Sequence, residues 1–215
     1  MEGVVKLNGE PPALPKRPVT QDKQVCGIGD TTDDESLIVV KATKGIANAV
    51  VTLELKAGGA KPAPAAAAIA FDQHKCLFSE HVLVITENST VDFKNSDTVA
   101  HNVNVKAQKN KGFNKTIAGK ESVQWKFERE ERIPVECNVH PWMKGWIVVT
   151  DAPYHAKTDA QGHFKIVNVP PGEYKVKVWQ EMVGAGKKCW EGPAEVKVEE
   201  GKTATIEYKG TLAPK

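Results

Sequence analysis

Apolar and polar positions alternate with a period of two along much of this 215-residue chain, as in Val91-Asp92-Phe93, Val103-Asn104-Val105 and Val176-Lys177-Val178. Successive side chains of a strand point to opposite faces, so this pattern marks strands with one face buried. Alternating or β-branched runs occupy 37–40, 49–55, 82–85, 90–93, 102–105, 122–127, 146–149, 163–167, 174–179, 194–198 and 203–208. No stretch of about 11 residues carries a convincing 3.6-residue period, so helices are nearly absent. Short strands separated by Gly, Pro, Asn and Asp turns predict an all-β fold of the sandwich or barrel class.

Proline and glycine divide the chain at three places. Residues 58–64 read as a linker or long loop, Asp151-Ala-Pro153 as a boundary, and Pro170-Pro171-Gly172 as a tight turn. No run of about 18 apolar residues occurs, so no transmembrane segment is expected. The formal net charge of +2 argues against a nucleic-acid partner, which requires a strong basic excess. Lys106, Lys109, Lys111 and Lys115 form one local cluster. It reads either as a solvated loop or as a docking patch for an acidic partner.

The segment Cys137-Asn-Val-His140-Pro-Trp-Met143 has the form C-x2-H-x2-M, between strand-like flanks at 132–136 and 145–149. It is therefore a short loop joining two strands, and it brings a thiolate, an imidazole and a thioether close together. A fourth ligand is expected from another strand end at the same pole. His101 follows the turn residues Asp97-Thr-Val-Ala and opens the strand at 102–105. Two His and one Cys in a plane, with a weak axial Met, are the donor set of a type 1 copper site. Thiolate and thioether suit Cu(I), and imidazole tolerates Cu(II), so one such set serves both states.

These residues resemble the cupredoxins of the amicyanin and plastocyanin type over about residues 78–150. The likeness rests on Ala100-His101-Asn102-Val103 and on the run 137–149, whose two-residue spacings on both sides of His140 are those of amicyanin. The resemblance implies one copper ion held by His101, Cys137 and His140 with Met143 axial, in a Greek-key β-sandwich. It implies that Asn102 hydrogen-bonds across to the ligand loop, with Pro141 beside it. It further implies that the ring of His140 reaches the surface as an electron port. Pro141 and Trp142 would then form part of an apolar docking rim; alternatively, Trp142 simply packs.

A second pattern, Thr158-Asp-Ala-Gln-Gly162-His-Phe164 followed by Pro170-Pro-Gly172-Glu-Tyr174, reads as antiparallel strands joined by tight turns. It resembles the carboxypeptidase-regulatory or transthyretin-like β-sandwich, whose earlier strands would be Gly3-Val-Val5 and Asn48-Ala-Val-Val51-Thr-Leu53. The expected organisation is a copper domain at 70–152 interposed in a discontinuous β-sandwich made of 1–60 and 153–215.

Of the remaining cysteines, Cys26 and Cys76 are the leading candidates for a disulfide, with Cys189 either a free thiol or the true partner of Cys26. Disulfides favour a periplasmic or secreted location, with any signal peptide removed. His74, Cys76 and His81 could bind a second metal, but their spacing matches no zinc pattern. His155 and His163 read as isolated turn or surface residues. No phosphate loop, haem attachment or paired-histidine multicopper motif is present, so an enzyme is not expected. The function expected is single-electron transport to a redox protein, such as a c-type cytochrome or an oxidoreductase subunit. The alternative is a copper-binding or scaffold subunit whose β-sandwich docks a partner in an extracytoplasmic complex.

Overall fold

The structure is a computed structural model that describes residues 1–56, 61–183 and 195–212. Cys189, Ala194 and residues 58–60 of the expected linker lie outside the described residues. The described chain is all-β, with one short helix. In order, the elements are β1 (Glu2–Leu7), β2 (Arg17–Pro18), α1 (Lys23–Cys26), β3 (Thr31–Thr32), β4 (Val50–Leu55), β5 (Ile69–His74) and β6 (Leu77–Phe78). They continue with β7 (Val82–Thr86), β8 (Ser89–Asn95), β9 (His101–Val105), β10 (Phe113–Ile117), β11 (Ser122–Phe127) and β12 (Glu131–Glu136). The last are β13 (Lys144–Thr150), β14 (Tyr154–Lys157), β15 (His163–Lys165), β16 (Gly172–Trp179), β17 (Glu195–Val198) and β18 (Thr205–Gly210).

The chain forms two compact units. One comprises Met1–Ala13, Glu35–Lys61 and Ala152–Lys215, and the other Leu14–Asp34 and Pro62–Asp151. This division departs from the expected boundaries at residues 14–34, which belong with the copper-motif unit. The cause is local and covalent. Cys26 is bonded to Cys76, and Val19 and Cys26 enter that unit's hydrophobic core.

The copper-motif unit has two main sheets. One orders its strands β10-β9-β12-β13-β7, the other β11-β8-β5-β6. β7 runs parallel to β13, and β5 runs parallel to β8. The core is aromatic at its centre. Phe71 stacks on Phe78 at 4.9 Å between ring centroids, and Phe93 meets Phe71 edge-on at 5.9 Å. Period-two burial carries directly into the site. In β12, Glu131, Ile133 and Val135 face inward, and Cys137 continues that face just beyond the strand end. In β9, Val105, Val103 and His101 share the inward face. β9 and β12 are antiparallel neighbours, with Val105 opposite Val135, so both faces deliver their terminal residues to one pole.

Near the other end of β12, Glu131 anchors the 106–112 loop. Its carboxylate accepts the backbone N–H groups of Gln108 (2.5 Å), Lys109 (3.0 Å) and Asn110 (2.9 Å). Burial works to raise the Glu131 carboxyl, but the hydrogen bonds from Asn110 and these backbone amides prevail and hold it below its ordinary value.

The other unit has a three-stranded sheet, β15-β1-β18, and a four-stranded sheet, β14-β4-β16-β17. Its buried residues include Val5, Leu7, Ile46, Val51, Leu53, Phe164, Tyr174, Val176, Val178 and Tyr208. Strand β1, near the chain start, pairs parallel with β18 and antiparallel with β15. The Thr158-Asp-Ala-Gln-Gly162 segment has a specific role. Thr158 Oγ1 accepts the Ala49 N–H at 2.9 Å and donates to the Ile46 carbonyl at 2.7 Å. Gly162 adopts φ +85, and a Cβ there would lie 2.7 Å from the Gly45 Cα, so glycine is required on both grounds. The expected strand at 37–40 is not formed. Val39 makes one isolated bridge, to Ile46. Turns at 35–36 and 41–43 flank the segment.

Candidate metal centre

The ligand loop is closed by its own backbone. The Cys137 N–H donates to the Met143 carbonyl (3.1 Å), and the Met143 N–H donates to the His140 carbonyl (2.9 Å). His101, Cys137, His140 and Met143 are all buried, at 0%, 2%, 0% and 1% exposure. One donor atom each from His101, Cys137 and His140 lies within 4.8 Å of the others. The His101 and His140 Nδ1 atoms are 2.8 Å apart, and Cys137 Sγ lies 3.8 Å from His140 Nδ1. Met143 is brought into the same buried loop by its backbone bonds.

Each imidazole has its second nitrogen committed. His101 Nε2 meets Asp97 Oδ2 at 2.7 Å, and His140 Nε2 meets Asp22 Oδ2 at 2.8 Å. An ionised carboxylate only accepts, so both Nε2 atoms donate, and each ring turns its Nδ1 inward. Two lone pairs at 2.8 Å repel unless a proton or a cation lies among them. Burial pushes the Cys137 thiol up. Hydrogen bonding with His101 and His140 and from the Asn102 and His140 amides more than offsets this and brings it down to about 6. This favours the thiolate form of the sulfur, a soft anionic donor beside two imidazole nitrogens. This donor set fits a copper ion.

Asp97 is itself tightly held. Its oxygens accept the Lys75 N–H (2.7 Å) and the Cys76 N–H (2.8 Å). Burial raises its carboxyl, but these amides together with His101 lower it overall. Lys75 and Cys76 both adopt positive φ, which turns consecutive N–H groups onto one carboxylate. Burial works to lower the His140 imidazole, and its bonds to Cys137 and Asp22 raise it overall.

The Asn102 N–H donates to Cys137 Sγ at 3.3 Å, and its side-chain oxygen accepts the Asn138 N–H at 3.2 Å. Pro141 is exposed. Trp142 is buried, and its indole N–H donates to the Cys76 carbonyl at 2.9 Å, so it packs under the loop and offers no docking rim. The expectation that the His140 ring reaches the surface is likewise corrected. The segment 14–34 lies over it and covers its outer nitrogen with Asp22. Among the described residues, no metal-type cluster includes His74 or His81, and Cys76 is oxidised in the disulfide. Of the lysine cluster, Lys106 pairs with Glu136 at 2.5 Å, and Lys115 sits 4.9 Å from the Trp125 ring centroid.

Asp22 and Asp97 went unread in the sequence. Asp97 had a signal, four residues ahead of His101 on the turn that feeds its strand. Asp22 had none, because 118 residues separate it from His140.

Residues 133–206, about a third of the chain, match the family described as polysaccharide lyase family 4, domain II. That span takes in parts of both units. No curated protein matches. Solved structures similar to parts of the chain include a copper-containing nitrite reductase from Thermus scotoductus SA-01, with 23% identity and a TM-score of 0.37 over 42% of this chain. The match covers 25% of the nitrite reductase, so this chain spans about a quarter of that protein's length. A purple cupredoxin from Nitrosopumilus maritimus matches with 23% identity and a TM-score of 0.34, over 38% of this chain and 99% of its own. A mutant of amicyanin matches with 22% identity and a TM-score of 0.37, over 46% of this chain and 98% of its own. Among the described residues, no helix is long and apolar enough to cross a membrane.

Proposed function

We propose that this protein carries single electrons through one type 1 copper ion that His101, Cys137 and His140 would hold, with the Met143 thioether of the same loop as a fourth donor. The observation that carries the proposal is the convergence of the Cys137 sulfur and two inward-facing imidazole nitrogens in one buried cluster. Copper bound there supplies a one-electron Cu(II)/Cu(I) couple.

The protein's own residues do the rest. Asp97 and Asp22 keep the ring protons on Nε2, so that Nδ1 is available as a donor. Two backbone amides, those of Asn102 and His140, point at Cys137 Sγ and stabilise negative charge on it. The loop bonds from Cys137 to Met143 hold the donors in place across a change of charge, which keeps reorganisation small. Burial excludes water from the donors. The His140–Asp22 contact would offer the path to a redox protein partner, because the Asp22 side chain is 38% exposed while the ring is covered. The disulfide suits a periplasmic or secreted setting.

The test is the visible spectrum of copper-loaded protein and of two variants. Wild type should show an intense thiolate-to-copper charge-transfer band, and His101→Ala and Cys137→Ser should each lose it. A band that survives in both variants refutes the ligand assignment.

A further inference from the structure

We propose that Asp22 is a positioning residue for His140, delivered by a strap (Leu14–Asp34) that the Cys26–Cys76 disulfide ties down beside the metal donors. The inference rests on the copper reading above and names how that site is closed.

The strap makes four separate attachments within its unit. The Asp22 carboxylate accepts from His140 Nε2 at 2.8 Å. The Gln21 side-chain amide donates to the Val139 carbonyl, inside the ligand loop. Arg17 donates to the Trp142 carbonyl at 3.1 Å, and Asp34 holds that guanidinium at 2.5 Å. The fourth attachment is the disulfide. Asp22 is fixed to the disulfide by a single helical turn, α1, where its carbonyl accepts the N–H groups of Val25 and Cys26, each at 2.9 Å.

The other half of the disulfide leads to the other imidazole. The Cys76 N–H donates to Asp97, and Asp97 accepts from His101. Cys26 and Cys76 sulfurs lie within 4.8 Å of a His140 nitrogen, and Cys76 lies within that distance of Asp97 and His101 donor atoms. One covalent bond therefore joins the turn that carries Asp22 to the turn whose Cys76 amide holds Asp97. Reducing it removes the one covalent attachment of the strap and so loosens the carboxylate that comes from a distant chain segment.

The two carboxylates do unequal work. Asp97 is buried and pinned by two backbone amides, so it holds His101 without help from the strap. Asp22 is partly exposed, and its place over His140 depends on the strap attachments. Without it, His140 Nε2 turns to water, the ring tautomer is no longer fixed, and the covered edge opens.

The test compares wild type with Asp22→Asn, Asp22→Glu and the Cys26→Ser/Cys76→Ser pair, by Cu(II) affinity from chelator competition and by reduction potential. Removing such an outer hydrogen-bond partner costs about 10–100-fold in metal affinity. Asp22→Asn should bind Cu(II) that much more weakly while keeping the fold of wild type by circular dichroism. Where Cu(I) affinity is unchanged, each tenfold loss raises the potential by about 59 mV. Asp22→Glu should recover most of both. The serine pair should shift both in the same direction, and adding Asp22→Asn to it should change little more. Asp22→Asn with wild-type affinity and potential, while wild type shows its thiolate band, overturns the positioning role alone. A wild type without that band overturns the copper reading beneath it.

Discussion

Asp97→Asn tests the inner end of the site most sharply. The wild-type carboxylate accepts three bonds, from Lys75 N–H (2.7 Å), Cys76 N–H (2.8 Å) and His101 Nε2 (2.7 Å). Asparagine offers one oxygen and one NH2 group in the same shape. With its oxygen toward Cys76 and His101, the NH2 faces the Lys75 N–H and that bond is lost. With the oxygen toward Lys75, the NH2 faces His101, whose proton must then move to Nδ1, the metal-facing atom. Hydrogen bonds to a charged group contribute about 1.5–3 kcal/mol each and neutral ones about 1 kcal/mol. Losing one such bond and neutralising two others gives about 2.5–7 kcal/mol by that scale. The assay is hydrogen exchange of β9 across a urea series in copper-free protein, paired with Cu(II) affinity. The expected result is earlier opening of β9 and Cu(II) binding weaker by about 10–100-fold. Wild-type protection together with wild-type affinity would refute the claim that Asp97 fixes the His101 tautomer.

Two further outcomes follow from the same reasoning. Glu131 has a depressed carboxyl in the folded state, so its stabilisation is present above its ordinary value of 4.5 and is lost as pH falls through the lower folded value. Glu131→Gln should therefore cost about 1–3 kcal/mol at neutral pH, with the gap to wild type closing in acid, as read by urea unfolding at several pH values. A gap that widens in acid contradicts this. The Cys26–Cys76 bond closes a 50-residue separation, for which chain entropy gives about 4 kcal/mol. The Cys26→Ser/Cys76→Ser pair should lose stability of that order by chemical denaturation. Exchange protection should fall first in 14–34, and uniform loss across all strands would contradict the strap.

The period-two pattern made much of this molecule readable. Val103 and Val105, with Ile133 and Val135, announce two half-buried strands, and the same parity sets His101 and Cys137 facing inward. The all-β class and the tight turn at Asp159–Gly162 follow from equally local signals. What escaped was non-local or geometric. Arg17–Pro18 and Thr31–Thr32 are too short to show a period, so nothing marked 14–34 as part of the copper-motif unit. Asp22 meets His140 across 118 residues, and a carboxylate in a polar stretch carries no sign of its partner. The covered His140 ring follows from that strap, and ligand spacing alone does not reveal it. Residues 37–40 are apolar enough for a strand, yet they enter the fold through one bridge between two turns. Leu37 is buried all the same, so burial accounts for the pattern without a ladder.

The most direct test of the central claim is titration of the purified protein with Cu(II), followed by visible absorption and EPR and then by a mild reductant and reoxidation. The account predicts one copper per chain and a strong thiolate-to-copper charge-transfer band in the visible, as expected of a Cys-ligated copper site, that bleaches on reduction and returns on oxidation. A folded protein that takes up Cu(II) without this band, or binds none, would contradict the assignment of His101, Cys137, His140 and Met143 as a copper centre.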